Sequence, residues 1–341
     1  MKDTGFNLLP TIIGSLPHKD AKEACAIVTG FLKDIPCWPQ LPNLSSKEGM
    51  SVQFSTGFPG IIENGNDLLI DSAKDSGSEL ERLYMAYLEN DSDKYPITEE
   101  YASGLYELLR QPDLSPLAVK GQVTGPISWG LSVKDNSGRV ILYDDILSDA
   151  AAKLLRLKAS WQEKKLNQIS KNTIIFIDEP AMTSYGSAFF SLPKERIIAL
   201  LQEVMDGISG LKGIHCCGNT DWSLILSTGI DILNFDTYNF AESLTLYPSE
   251  VKAFLERGGA IAWGIIPTDE AGIQKETVAG LKDRLEEAMA PFTRKGIAFK
   301  QLVEHSLLTP SCGLAGVQEE VAILALELLT GLSREMRKVY G

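Results

Sequence analysis

His215 and Cys217 form an H-x-C pair. If their segment is a strand, side chains two residues apart point to one face, so these two converge while Cys216 points away. Imidazole plus thiolate is a zinc-type ligand set. Cys312 offers a further thiol well along the chain. A zinc with three protein ligands and an open position is catalytic in type, and it converts an incoming thiol to thiolate. A free thiol has a pKa near 8.5, so only about 3% is thiolate at pH 7. Such a centre suits S-alkylation of a thiol; generating hydroxide for hydrolysis is the rival use. The same cysteines also suit two other readings: small core hydrophobes, or, for Cys216-Cys217, a strained vicinal redox pair. Further polar candidates are Gly14-Ser15, Gln122 to Pro126, Asp178-Glu179-Pro180, Asp236 and Pro310 to Gly313.

Short β-rich runs carry these residues, and helical patterns separate them. The runs are Thr11–Gly14, Ile35–Trp38, Leu117–Gly121, Thr173–Ile177, 212–216, 230–235, 260–265 and Ser306–Leu308. The clearest helix follows Asp144, where Leu147, Ala150, Leu154, Leu157 and Trp161 recur at steps of three and four and make one apolar stripe. Thr173–Ile177 is almost continuously apolar, as in a parallel strand covered on both faces. Eight strand–helix pairs predict an α/β fold, a single (β/α)8 barrel over residues 1–341. Such a barrel needs roughly 250 residues, which leaves a surplus of about 90. The surplus falls between strands 2 and 3, mainly in a loop-rich insertion at 39–80 near the barrel mouth, and around Lys134–Val140. A doubly wound open sheet is the competing architecture, but no GxGxxG follows the first run to support a dinucleotide site. In a barrel, active sites lie at the C-terminal strand ends, and every polar candidate falls at such an end.

The 341 residues carry a formal charge of −13. This acidic balance argues against nucleic-acid binding, which needs a basic face. No stretch of about 18 uninterrupted apolar residues predicts a membrane span. The first residues do not read as a signal peptide, because Pro10, Gly14 and Pro17 break a short apolar run. Five cysteines are too few for a disulfide scaffold and fit a reducing, cytoplasmic setting.

Five motifs in order resemble the catalytic C-terminal domain of cobalamin-independent methionine synthase. Thr11 to Pro17 (TIIGSLP) is similar to that family's TTxIGSFPQ, and Val119 to Pro126 (VKGQVTGP) to its VKGxLTGPVT. Ile177 to Ala181 matches IDEPA, His215-x-Cys217 matches the zinc pair, and Pro310 to Leu314 (PSCGL) is similar to NPDCGL. The wider superfamily holds uroporphyrinogen decarboxylase and the corrinoid–thiol methyltransferases, and His215 to Asn219 (HCCGN) is closer to the latter.

The resemblance implies a zinc-dependent methyltransferase on a (β/α)8 barrel. His215, Cys217 and Cys312 would bind Zn2+. Gly14 and Ser15 would hold the carboxylate of homocysteine, and Asp178 its ammonium. Asp236 stands where the family has a glutamate ligand, one methylene longer. Glu48 is the candidate for the family's acidic residue facing the substrate amino group. His18 and His305 have no assigned role. The long family members carry a further N-terminal barrel that helps hold folate; with none here, the expected donor is a methyl-corrinoid, on a corrinoid protein or free. Another small thiol, such as coenzyme M, or a decarboxylase-like activity is the alternative; the latter is disfavoured because Ile13–His18 contains no arginine to hold a polycarboxylate.

Overall fold

The computed structural model describes residues 5–71, 76–187 and 190–341. Residues 72–75 of the expected insertion lie outside that description. Ten strands are present among the described residues: β1 Leu9–Pro10, β2 Ile61–Asn64, β3 Asp67–Ile70, β4 Val119–Thr124, β5 Val133–Asp135, β6 Thr173–Asp178, β7 Leu211–Cys216, β8 Ile232–Phe235, β9 Ala260–Ile266 and β10 Ser306–Pro310. Seven form one curled, all-parallel sheet in the order β1-β10-β9-β8-β7-β6-β4.

The expected closed eight-stranded barrel is therefore corrected to a seven-stranded sheet. The missing member is the run Ile35–Trp38. Pro36 and Pro39 have no N–H to give a ladder. The segment makes only one isolated bridge instead, Cys37 with Lys120, and Gln40 just after it makes another with Ser15. Lys120 N donates to Pro36 O at 2.8 Å on one side, and Gln40 N donates to Gly14 O at 3.0 Å on the other. The first expected strand also shifts, to Leu9–Pro10, with Thr11 N still bonded to Leu308 O.

The helices follow the strands as the alternation requires. One of the two longest spans Asp145–Leu166; Asp144 caps it by accepting from the N–H groups of Ile146 and Leu147, each at 3.0 Å. Its Ala150, Leu154, Leu157 and Trp161 are buried. The two surplus regions meet: β2 pairs antiparallel with β3, and β3 pairs parallel with β5, making a separate three-stranded sheet. No helix among the described residues is long and apolar enough to cross a membrane.

Side chains alternate across each strand. One face, with Val119, Ile175, Ile177, Ile214, Leu233 and Trp263, packs with the helices in the main core. The opposite face forms a second cluster from Leu9, Ile35, Ala118, Ile174, Phe176, Ile232, Ala262 and Leu307. Continue along that second face toward the strand C-termini and the residue type changes. Lys120, Gln122, Asp178, His215, Asn234 and Thr309 follow in phase, all buried. Apolar packing thus supports a polar layer from beneath.

Candidate metal centre and thiol site

β7 ends on His215-Cys216, and the chain turns at Cys217. The side-chain phase is as expected: Cys216 is fully buried in the main core, while His215, Cys217 and Cys312 bring their ligand atoms within 4.8 Å of one another. Cys312 reaches the group from the loop after β10.

His215 is set in place by Asn234 of β8. Asn234 Nδ2 donates to Ala262 O and to Thr309 Oγ1, each at 2.8 Å. Its Oδ1 must then face the imidazole, where it meets Nδ1. An amide oxygen only accepts, so Nδ1 carries the proton and Nε2 presents a lone pair. That Nε2 is buried and has no hydrogen-bond partner. A buried, unpaired imidazole nitrogen beside two sulfurs is what a metal ion would satisfy.

The charge state agrees. The Cys217 thiol is held down to about 4, first by its hydrogen bond with Cys312 and then by His215. Cys312 keeps the shared proton and is pushed up. Burial alone would lower His215, but Cys217, Asp178 and Asn234 carry it above the ordinary imidazole value. A thiolate ready at neutral pH is the ligand form of cysteine.

These groups line one cavity of about 260 Å³ together with Ile13, Ser15, Gln40, Pro42, Glu48, Met50, Asp178, Pro180 and Gly313. A larger open groove of about 760 Å³ runs past Phe58, Arg82 and Tyr95, but holds none of the converging ligands. Asp178 ends β6 beside His215 in register. Its Oδ1 is buried without a partner, and burial pushes its carboxyl up to about 6 against the pull of His215 and Lys120. The next residue points elsewhere. Glu179 accepts from Ile127 N, Ser128 N and Ser128 Oγ at 2.6–2.9 Å and ties down the start of helix Pro126–Ser132.

The turn after β1 brings Ser15 to the cavity. Gly14 adopts φ +156°, and a Cβ there would lie 2.7 Å from Gln40 Oε1 and 2.8 Å from Gln122 Cδ. A Cβ on Gly313 would lie 2.0 Å from Ser15 Oγ, so glycine there lets the Cys312 loop close on Ser15. Leu314 N donates to Ser15 O at 2.9 Å to hold that approach.

Of the expected site residues, Ser15, Glu48, Asp178, His215, Cys217 and Cys312 share the cavity. Gly14 shapes the turn but does not line it. Glu48 is 2% exposed, not a surface residue; its oxygens accept from Leu41 N at 2.9 Å, from Ser103 N at 3.0 Å and from Ser103 Oγ. Burial raises its pKa despite these bonds. Asp236 is outside the converging group. It caps helix Thr237–Thr245, with Oδ1 accepting from Asn239 N at 2.9 Å and Oδ2 from Asn239 Nδ2 at 2.8 Å. His18 is buried, with neither ring nitrogen bonded, and does not line the cavity. His305 precedes β10, at the opposite strand ends. Sequence reasoning missed Asn234, although a lone amide in the run Ile232–Phe235 was a signal. It also missed Gln40, which sits in a proline-flanked loop with no periodicity to mark it.

No protein-family model and no curated protein matches this chain. Solved structures do. The chain is similar to a B12-independent methionine synthase from Shewanella sp. W3-18-1 in complex with selenomethionine, with TM-score 0.61 and 16% identity over 97% of this chain and 98% of that one. It is also similar to a putative vitamin-B12-independent methionine synthase from Listeria monocytogenes, with TM-score 0.55 and 14% identity over 94% and 86%. Identities this low show a shared fold.

Proposed function

We propose that this protein methylates the sulfur of homocysteine to form methionine, at a zinc centre held by His215, Cys217 and Cys312. The observation that carries the reading is one cavity in which an unpaired His215 Nε2 and two sulfurs converge beside the unpaired Asp178 Oδ1. Zinc bound there would hold the substrate sulfur as a thiolate at neutral pH. Asn234 fixes the tautomer and plane of His215. Asp178 takes the substrate ammonium, a charge that its buried carboxylate otherwise lacks. Ser15 offers its hydroxyl to the substrate carboxylate. Asp236 is engaged by Asn239 and is assigned to its helix cap. A thiol without an ammonium, such as coenzyme M, would leave Asp178 unpaired, which favours an amino-acid thiol.

The methyl donor is proposed to be a methyl-corrinoid. A cavity of about 260 Å³ suits a small amino acid and keeps a corrin ring at the mouth. A methyl–nitrogen donor would need a proton for its leaving nitrogen. Glu48 is occupied by three hydrogen bonds, and Asp178 by the ammonium in this reading. A donor that leaves without protonation fits that inventory better. The test is metal analysis followed by methyl transfer from methylcobalamin to homocysteine. We expect about one zinc per chain, methionine from methylcobalamin, and none from methyltetrahydrofolate. Zinc-loaded protein that makes no methionine from either donor overturns the reading.

A further inference from the structure

Cys312 reaches the metal centre against the phase of its strand. Along β10, Leu308 packs in the main core and Leu307 in the second cluster, and Thr309 meets Asn234 in the polar layer. Continued alternation would give that layer Ser311 and turn Cys312 toward the helices. The structure does the reverse. Cys312 lines the cavity with His215 and Cys217, while Ser311 is buried with its hydroxyl 3.4 Å from Thr268 Oγ1. The phase breaks at a register shift between β10 and β9. Thr309 pairs with Gly264, but Pro310 pairs with Ile266, which leaves Ile265 unpaired across that ladder. Ile265 and Ile266, neighbours in sequence, both pack in the main core. Ser311 N donates to Ile266 O at 2.8 Å and holds the shifted register. Gly264 makes room for the shift. It is in phase with Ala262 of the second cluster, so a Cβ on it would point into the polar layer. That Cβ would lie 2.4 Å from Phe235 O and 2.9 Å from Ser311 Cα. Both are backbone atoms and cannot swing aside.

We infer that Gly264, with the register shift at Ile265, carries Cys312 into the metal centre, which makes Gly264 a positioning residue for the third ligand. The inference rests on the centre proposed above. The backbone of Ser311 occupies the space that a side chain at 264 would fill. The end of β10 thereby leans over β9 toward the polar layer, and the next residue enters the cavity. A bulge beside a site re-aims a side chain in this way, and between parallel strands such a bulge is rare. A side chain at 264 would push the Ser311 backbone back toward the regular phase and draw Cys312 away from His215 and Cys217. The centre would then keep only His215 and Cys217, one short of the three protein ligands that hold a catalytic zinc.

The test reads metal binding in the full chain. Zinc affinity is measured by competition with a chromophoric chelator. The sulfur-to-metal charge-transfer absorption of the Co2+-loaded protein then reports how many thiolates are bound. Gly264→Ala should weaken zinc about 10–100-fold, the range for losing an outer support, and should lower the charge-transfer band to that of Cys312→Ser. A general loss of stability would not change the thiolate count of the folded, loaded protein. The exchange variant Ser311→Cys/Cys312→Ser puts the thiol at the position that strand phase alone would choose. It should bind zinc no better than Cys312→Ser, and it decides the matter if Gly264→Ala does not fold. Wild-type affinity and band in Gly264→Ala, or in the exchange variant, overturn the role of Gly264 and the shift alone. A wild-type chain that takes up no zinc, or Cys312→Ser that holds zinc as tightly as wild type, overturns the proposed centre and this inference with it.

Discussion

Asn234→Leu is the sharpest test of how the candidate metal centre is built. Asn234 makes three interactions: with His215 Nδ1, with Ala262 O at 2.8 Å and with Thr309 Oγ1 at 2.8 Å. Leucine has similar volume and none of these bonds. The fold loses two Nδ2 hydrogen bonds, at roughly 1 kcal/mol each, so global stability should fall by about 2 kcal/mol. The centre loses the group that fixes the His215 tautomer. Removing such an outer partner weakens metal binding by about 10–100-fold, or about 1.4–2.8 kcal/mol. Zinc affinity should be measured by competition with a chromophoric chelator, at a denaturant-free temperature well below the melting point. Asn234→Asp is the companion: it keeps an acceptor for Nδ1 but cannot donate to Ala262 O. Its affinity should stay near wild type while its stability falls. Equal zinc affinity in wild type and Asn234→Leu would refute the claim that Asn234 positions His215 for a metal.

Cys217→Ser and Cys312→Ser should each strip or weaken zinc, whereas Cys216→Ser should retain it because Cys216 is buried in the main core on the other strand face; metal analysis of the three purified variants decides this. Asp178→Asn should weaken homocysteine binding about tenfold or more, through loss of a charge-assisted contact worth roughly 1.5–3 kcal/mol, and should leave an amine-free thiol largely unaffected in calorimetry. Lys158 gives a pH prediction away from the site. It is fully buried, donates to Thr56 Oγ1 at 2.8 Å and Pro96 O at 3.3 Å, and burial pushes it down to about 7 from its ordinary 10.5. Between those values the unfolded chain binds the extra proton, so stability should rise with pH across that window, by up to about 1.4 kcal/mol per pH unit. Denaturant melts of Lys158→Met should show that rise removed; an unchanged slope would mean the lysine stays charged in the fold.

Much of the fold could be read because it rests on local rules. The apolar run Thr173–Ile177, the stripe of the helix at Asp145–Leu166 and the phase of His215 and Cys217 each follow from strand or helix periodicity. The failures share a different cause. Ile35–Trp38 has the composition of a strand, but whether it pairs depends on donors that Pro36 and Pro39 lack, so an isolated bridge replaces a ladder. Asp236 had the right position along the chain for a ligand, yet Asn239 three residues on takes both oxygens. Position in sequence places a Cα, whereas competition for a side chain is settled only by its neighbours. Glu48 shows the opposite case. Its loop reads as solvent-exposed, but Ser103 from a distant helix and Leu41 bury and bind it.

The depth at which the chemistry sits follows from one face of the sheet. On β6 that face reads Ile174, Phe176, Asp178, and on β8 Ile232, Asn234. The apolar members close the interior from below, so Asp178 and His215 are desolvated without being sealed off. Desolvation raises the Asp178 carboxyl to about 6 and makes it receptive to a cation. The buried Lys120 stands one layer lower, its Nζ 4.4 Å from the centre of the Phe176 ring and bonded to Ile13 O at 2.6 Å. Its charge lowers Asp178 and partly offsets the burial. An apolar floor and a lysine in the second layer leave two buried polar atoms at the top without partners, Asp178 Oδ1 and His215 Nε2. Those two atoms are the ground for the ammonium and the metal in the function proposed above.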